Sequence, residues 1–120
     1  MSRSVDLFLD SDQPLDRFAS HLAQVTGRPF VPSPEGARCC VRDRGVTAYL
    51  SEHDFLDEED LPLSQFRYVL SAPASGTGDL DATPEAAWLR EVNSAFRQAG
   101  GSASLLVLDL ERPSARQVAP

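Results

Sequence analysis

The sequence predicts an α+β fold in which two helices pack on one face of a mostly antiparallel sheet of four or five strands. Three observations carry that expectation. Short segments alternate apolar and polar residues with period two, and two longer segments repeat their apolar residues at helical spacing. These segments follow one another in the order βα, βββ, αβ, which suits helices gathered on one side of a meander. With 120 residues, 42% of them hydrophobic and 24% charged, the chain can bury a single core without staples.

The first strand is "VDLFLD", with Val5, Leu7 and Leu9 on one side and Asp6, Phe8 and Asp10 on the other. In "SDQPLDRFASHLAQVTG" the residues Leu15, Phe18, Leu22 and Val25 share one helical face. Ser11 or Asp12 can cap its start, Pro14 suits the first turn, and Gly27 suits a left-handed stop. The following "PFVPSPEG" holds Pro29, Pro32 and Pro34 and reads as a loop with a short edge strand at Phe30 and Val31.

Next, "ARCCVRDRGVTAYLS" reads as a hairpin. Placing Cys39, Val41, Val46, Ala48 and Leu50 on one face with Val41 opposite Val46 makes "RDRG" a four-residue turn, Gly45 taking its left-handed end. "LSQFRYVLS" alternates with Phe66, Tyr68 and Leu70 inward and Gln65, Arg67 and Val69 outward, a further antiparallel strand. Thr83 and Pro84 start a second helix that lines up Leu89, Val92 and Phe96, with Trp88 at its margin and Gly100 and Gly101 at its end. "SASLLVLDLE" is the last strand. Residues 1–112 thus form one domain, and 113–120 form a flexible C-terminal tail with little apolar surface to dock.

This order of elements resembles that of ferredoxin-like α+β sandwiches or a close variant. The resemblance implies a layering of helices on a sheet. It implies no activity, because such folds host enzymes, dimeric binding modules and regulators alike.

Composition removes several functions. All eleven basic residues are arginine, so Schiff-base chemistry, a lysine general base and a phosphate-loop lysine are excluded. The net charge of −7 makes nucleic acid an improbable ligand, since affinity for it comes from cations neutralising phosphates. No apolar run is long enough to span a bilayer, and the first ten residues lack the pattern of a secretory signal. A cytoplasmic, reducing location fits Cys39 and Cys40, whose side chains alternate across a strand and cannot pair without strain.

Chemical motifs fare no better. The loop "SGTGD" invites comparison with the acyl-coenzyme A loops of the acetyltransferase superfamily, but Pro73 stands where that family has Gln or Arg. Asp79 and Asp81 would also repel phosphate, so no cofactor is expected. Cys40 lies between Arg38 and Arg42, which favours thiolate, but the expected register puts His53 roughly 20 Å away. No catalytic residue is assigned. "EHDFLDEED" lacks the glycine and the alternating carboxylates of a calcium loop, so no metal is assigned either.

Two surfaces remain. Glu52, Asp54, Asp57, Glu58, Glu59 and Asp60 concentrate six negative charges within residues 52–60, leaving −1 for the rest of the chain. Such a local field speeds encounter with a basic protein partner. In size and charge the chain resembles the small acidic inhibitors and immunity proteins that bind basic toxins. A competing use is internal, with Arg38, Arg42 and Arg44 of the preceding hairpin holding the segment down. The second surface is the outer sheet face, where Phe8, Tyr49, Val69, Leu105 and Val107, edged by Arg38, Arg42 and Arg67, form an apolar patch. That patch suits a homodimer contact, a pocket for a small ligand, or a covering loop.

The leading expectation is therefore a non-enzymatic interaction module. The alternative is a dimeric ferredoxin-like domain that binds or transforms a small ligand at the outer sheet face.

Overall fold

A computed structural model describes residues 3–34, 37–53, 57, 62–74, 78–101, 103–108 and 117–119. Strand β1 (Arg3–Leu9) leads into helix α1 (Leu15–Thr26). The two-residue strand β2 (Val31–Pro32), β3 (Arg38–Asp43), β4 (Val46–Glu52) and β5 (Tyr68–Ala74) follow. Helix α2 (Pro84–Gln98), β6 (Ser104–Leu108) and the three-residue β7 (Gln117–Ala119) complete the order. All pairings are antiparallel, and the seven strands lie in the order β2-β3-β4-β5-β1-β6-β7.

Two helices do cover one face of an antiparallel sheet, but the sheet exceeds the four or five strands expected. The extra strands are the short edges. β7 recruits three residues from the segment expected to be a flexible tail, pairing Val107 with Val118. The meander β3-β4-β5 sits wholly on one side of β1, so β1 and β3, the long strands flanking α1, have β5 and β4 between them.

The core face follows the period-two pattern. Cys39, Leu50, Leu70, Leu7 and Leu106 are successive cross-strand partners in one buried row. Phe18 and Leu22 of α1 and Leu89, Val92 and Phe96 of α2 close over them. Helix α1 ends at Gly27, which takes the left-handed conformation at φ 73° and donates its N–H to the Ala23 carbonyl at 2.9 Å. Its start differs from expectation. Pro14 occupies the cap position without a side-chain bond, and Ser11 Oγ instead accepts from the Gln13 N–H at 3.1 Å. In α2 the expected cap forms, with Thr83 Oγ1 accepting the Ala86 N–H at 3.2 Å.

The hairpin register is two residues off the expected one. Val41 faces Ala48, and Asp43 faces Val46, leaving Arg44 and Gly45 as a two-residue turn with φ of 51° and 81°. Positive φ at both positions gives the twist that antiparallel strands require. An even shift keeps every apolar residue on its face, so alternation alone cannot distinguish the two registers. The tighter turn puts Asp43 on the inner side, where Trp88 Nε1 donates to Oδ2 at 3.0 Å and Arg28 Nε lies 3.0 Å from Oδ1. Trp88, expected at the helix margin, is thereby buried.

The fifth strand also starts later than its alternation suggests. Glu52 faces Tyr68, and the residues before Tyr68 leave the sheet through a 3-10 turn, Leu63–Gln65. Phe66, expected to point inward, lies instead on the opposite face, in a second cluster with Phe8, Leu63, Val69 and Val107.

Candidate functional site

That second cluster decides the outer sheet face. Phe8 and Val107 are fully buried and Val69 nearly so, because Leu63 and Phe66 of the β4-β5 connection lie over them, with Leu105 half-buried at the border. The Phe8 ring meets the Phe66 ring at 6.4 Å and the His53 ring edge-on at 4.9 Å. The expectation of an exposed patch is corrected at these three residues. Large apolar side chains on both the strands and the connection gain more by burying each other than by facing water. Tyr49 stays half-exposed beyond the cluster, with the Arg38 guanidinium 4.5 Å above its ring.

Of the six carboxylates in residues 52–60, Glu52 and Asp57 are described; Asp54, Glu58, Glu59 and Asp60 lie outside the described residues. Glu52 Oε1 lies 2.6 Å from Arg67 Nε, a pair that keeps the Arg67 guanidinium firmly charged. Asp57 Oδ1 accepts from both Ser64 Oγ at 2.6 Å and the Ser64 N–H at 2.8 Å, and these bonds hold its carboxyl below the usual range. Among the described residues, Arg38 and Arg44 of the hairpin hold neither of these two carboxylates. Arg44 turns to Glu91 Oε2 at 2.6 Å and to Asp43, and Arg38 covers Tyr49. Among the described residues the cation that pairs with Glu52 is Arg67, and Asp57 is held by Ser64.

Arg67 also joins the acidic segment to a part of the chain far away in sequence. Its Nη1 donates to the Asp12 carbonyl at 3.4 Å, and next to it the Tyr68 hydroxyl donates to the Gln13 carbonyl at 2.6 Å. The strand order explains the meeting, since β1 ends at Leu9 opposite Tyr68, and Tyr68 is opposite Glu52. Residues 10–13 and the start of the acidic segment thus occupy the same end of the sheet.

A cleft of about 490 Å³ opens at this end, lined by Asp10, Ser11, Asp12, Gln13, Phe18, His21, Phe96, Gly100 and Gly101. The Phe18 and Phe96 rings are buried beneath it, and His21 is half-buried with its ring 6.4 Å from each. Arg97, at the same end of α2, is committed to Ser104, donating to its hydroxyl at 2.8 Å and its carbonyl at 2.9 Å. Sequence reading placed none of Asp10, Asp12, His21 or Gly101 in a site. The available signal was "DSD" immediately after a strand, together with a glycine pair ending the other helix.

Serine, histidine and aspartate meet in this cleft, yet the nucleophile-base contact is missing among the described residues. Ser11 Oγ bonds to the Gln13 N–H rather than to His21. No group of three metal-ligating side chains forms among the described residues. Cys40 faces Tyr49, so His53 lies four residues past its partner, about 13 Å along the strand and packed on Phe8. This is closer than the sequence register implied and still beyond hydrogen-bond reach. A second cleft of about 460 Å³ runs between α1 and the β2 edge, lined mainly by Leu15, Ala19, Phe30 and Pro32, with Cys39 at its base. Burial, helped by the charge of Asp16, pushes the Cys39 thiol up, away from reactive thiolate.

Comparison with protein-family models, curated proteins and solved structures gives no match for this chain. No helix among the described residues is long and apolar enough to cross a membrane.

Proposed function

We propose that this protein is a non-enzymatic interaction module, of the immunity or regulatory type, that docks a basic protein partner at the acidic end of its sheet. The observation that supports this reading is Arg67, which ties Glu52, the first carboxylate of residues 52–60, to the Asp12 carbonyl beside a cleft lined by Asp10 and Asp12. A chain of net charge −7 that concentrates six carboxylates within residues 52–60 carries a local negative field, which accelerates encounter and weakens as salt screens it. The cations described there, Arg67 and Arg97, are each engaged by the chain's own oxygens. A cytoplasmic setting and a ferredoxin-like arrangement of the elements belong to this proposal as well.

The test is capture by the immobilised full chain at low and at high salt, with retained proteins identified by mass spectrometry. A basic protein retained at low salt, released by high salt, and lost when Asp57, Glu58, Glu59 and Asp60 are all replaced by Ser supports docking. Retention unaltered by those replacements refutes it.

A second reading draws on the same cleft, whose size lies within the range of small-ligand sites and which brings polar groups over buried rings. Under that reading the small ligand sits at the sheet end and not on the outer face, which Leu63 and Phe66 occupy.

A further inference from the structure

At the edge of the sheet farthest from β7, strand β2 pairs on one side only. The Ser33 N–H donates to the Arg38 carbonyl at 2.8 Å, and Val31 faces Cys40 in the same register. Hydrogen-bonded and non-hydrogen-bonded pairs alternate along an antiparallel ladder, so Val31 and Ser33 turn their backbone groups toward β3. The same alternation turns those of Phe30 and Pro32 outward. The Phe30 N–H and carbonyl and the Pro32 carbonyl therefore face the place where a further strand would lie.

Side chains on both faces of this edge suit the same occupant. On the inner face Phe30 and Pro32 border the cleft of about 460 Å³ whose opposite wall is Leu15 and Ala19 of α1. Pro32 faces Cys39, the outermost member of the buried row that crosses the sheet, so the cleft opens where that row would gain one more side chain. On the outer face Val31 is 58% exposed, the one large apolar side chain left so open among the described residues. Arg38 and Arg42, both exposed, flank Cys40 on that face, in register with Ser33 and Pro29.

We infer that the β2 edge and the α1 cleft form one docking site for an extended, acidic segment of a partner protein, added as an eighth strand. Its backbone completes the open ladder, and alternation assigns its side chains. Apolar residues opposite Phe30 and Pro32 turn toward the cleft, and an apolar residue opposite Val31 covers that side chain. Carboxylates opposite Pro29 and Ser33 lie two strand spacings from Arg42 and Arg38, about 10 Å, which a Glu and an Arg side chain span together. Charge selects this partner over a second copy, because two cationic edges repel each other. Asp16 stands on the helix side, where an apolar side chain enters and a carboxylate does not. Proline also limits the pairing, since Pro32 and Pro34 offer no N–H, which blunts the edge against self-association. The site is separate from the acidic end, and its partner carries the opposite charge.

The probe is the peptide acetyl-Glu-Leu-Val-Leu-Glu-amide, titrated into the ¹⁵N-labelled full chain. One control carries methyl groups on both leucine nitrogens, which removes the N–H groups that would bond Phe30 and Pro32. The other is the lysine analogue, acetyl-Lys-Leu-Val-Leu-Lys-amide. The expected result is saturable movement of the Phe30, Val31 and Ser33 amide signals with the glutamate peptide, and slower hydrogen exchange at Phe30. The methylated peptide should bind about tenfold more weakly. Arg38→Ser combined with Arg42→Ser, both at exposed positions, should weaken binding about fivefold. Silence at these amides overturns the site. Equal binding of the methylated peptide overturns strand addition in favour of a groove for apolar side chains alone, and preference for the lysine peptide overturns the acidic partner. Dimerisation of the free chain that Val31→Ser abolishes, read by sedimentation, overturns the partner in favour of a second copy.

Discussion

Trp88→Phe tests how the hairpin and the second helix are locked together. The indole N–H donates to a buried carboxylate, Asp43 Oδ2, at 3.0 Å. A hydrogen bond to a charged acceptor contributes about 1.5–3 kcal/mol, and the smaller ring adds about 1 kcal/mol for the gap it leaves. The two arginines near Asp43 offset little of this. Arg28 and Arg44 have side chains 55% and 58% exposed, so their ion pairs are screened by solvent. A loss of about 3 kcal/mol is expected at neutral pH, read from urea denaturation. Packing and hydrogen bonding are separated by a double-mutant cycle with Asp43→Ala, whose coupling energy should be about 2 kcal/mol.

The pH dependence gives that cycle its sharper edge. The Trp88 N–H chiefly, helped by Arg28 and Arg44 and opposed by burial, holds the Asp43 carboxyl below its ordinary value. A carboxyl depressed in the folded state stabilises above its unfolded pKa, near 4, and that stabilisation is lost as pH falls through the folded value. The coupling should therefore be full at pH 7 and shrink toward zero in strong acid. A coupling under about 0.5 kcal/mol at neutral pH, or one that is the same in acid, would show that Trp88 acts by packing alone.

Two further outcomes follow from the burial pattern. Leu63→Ala removes a side chain 1% exposed from the lid over the outer face and should cost about 2–4 kcal/mol in denaturant unfolding; a cost near zero would mean the connection does not sit on Phe8 and Val107. Cys39 is buried with its thiol pushed up while Cys40 is half-exposed, so a maleimide should label Cys40 at least about tenfold faster, and equal rates by mass spectrometry would contradict the strand orientation.

Burial also changes what a dimer experiment can ask. Val107→Asp, which suits an exposed patch, would place a charge in a fully buried site and unfold the chain without reporting on association. Tyr49 and Leu105 are the outer-face residues still open enough to probe a contact between copies.

Sequence alone determined the elements whose signals are local. Period two marked the strands, period 3.6 marked both helices, Gly27 and Thr83 marked helix ends, and charge counting located the acidic segment; each depends on residues within a few positions of one another. The hairpin shows the limit of such signals, because registers two residues apart bury the same side chains, and only the distant Trp88 and Arg28 select the one that brings in Asp43. The outer face shows it again. Phe66 fits a strand alternation perfectly well, yet joins Phe8 and Val107, 58 residues behind it and 41 ahead, counting from the sequence numbering. The end of the sheet is the most non-local of all, since Arg67 links Glu52 to Asp12 only after β5 pairs with both β1 and β4, and Gly101 joins Asp12 in lining the cleft only after α2 returns over the sheet. Local periodicity names which side of each element is apolar; which elements face each other is settled by the burial that the whole chain achieves at once.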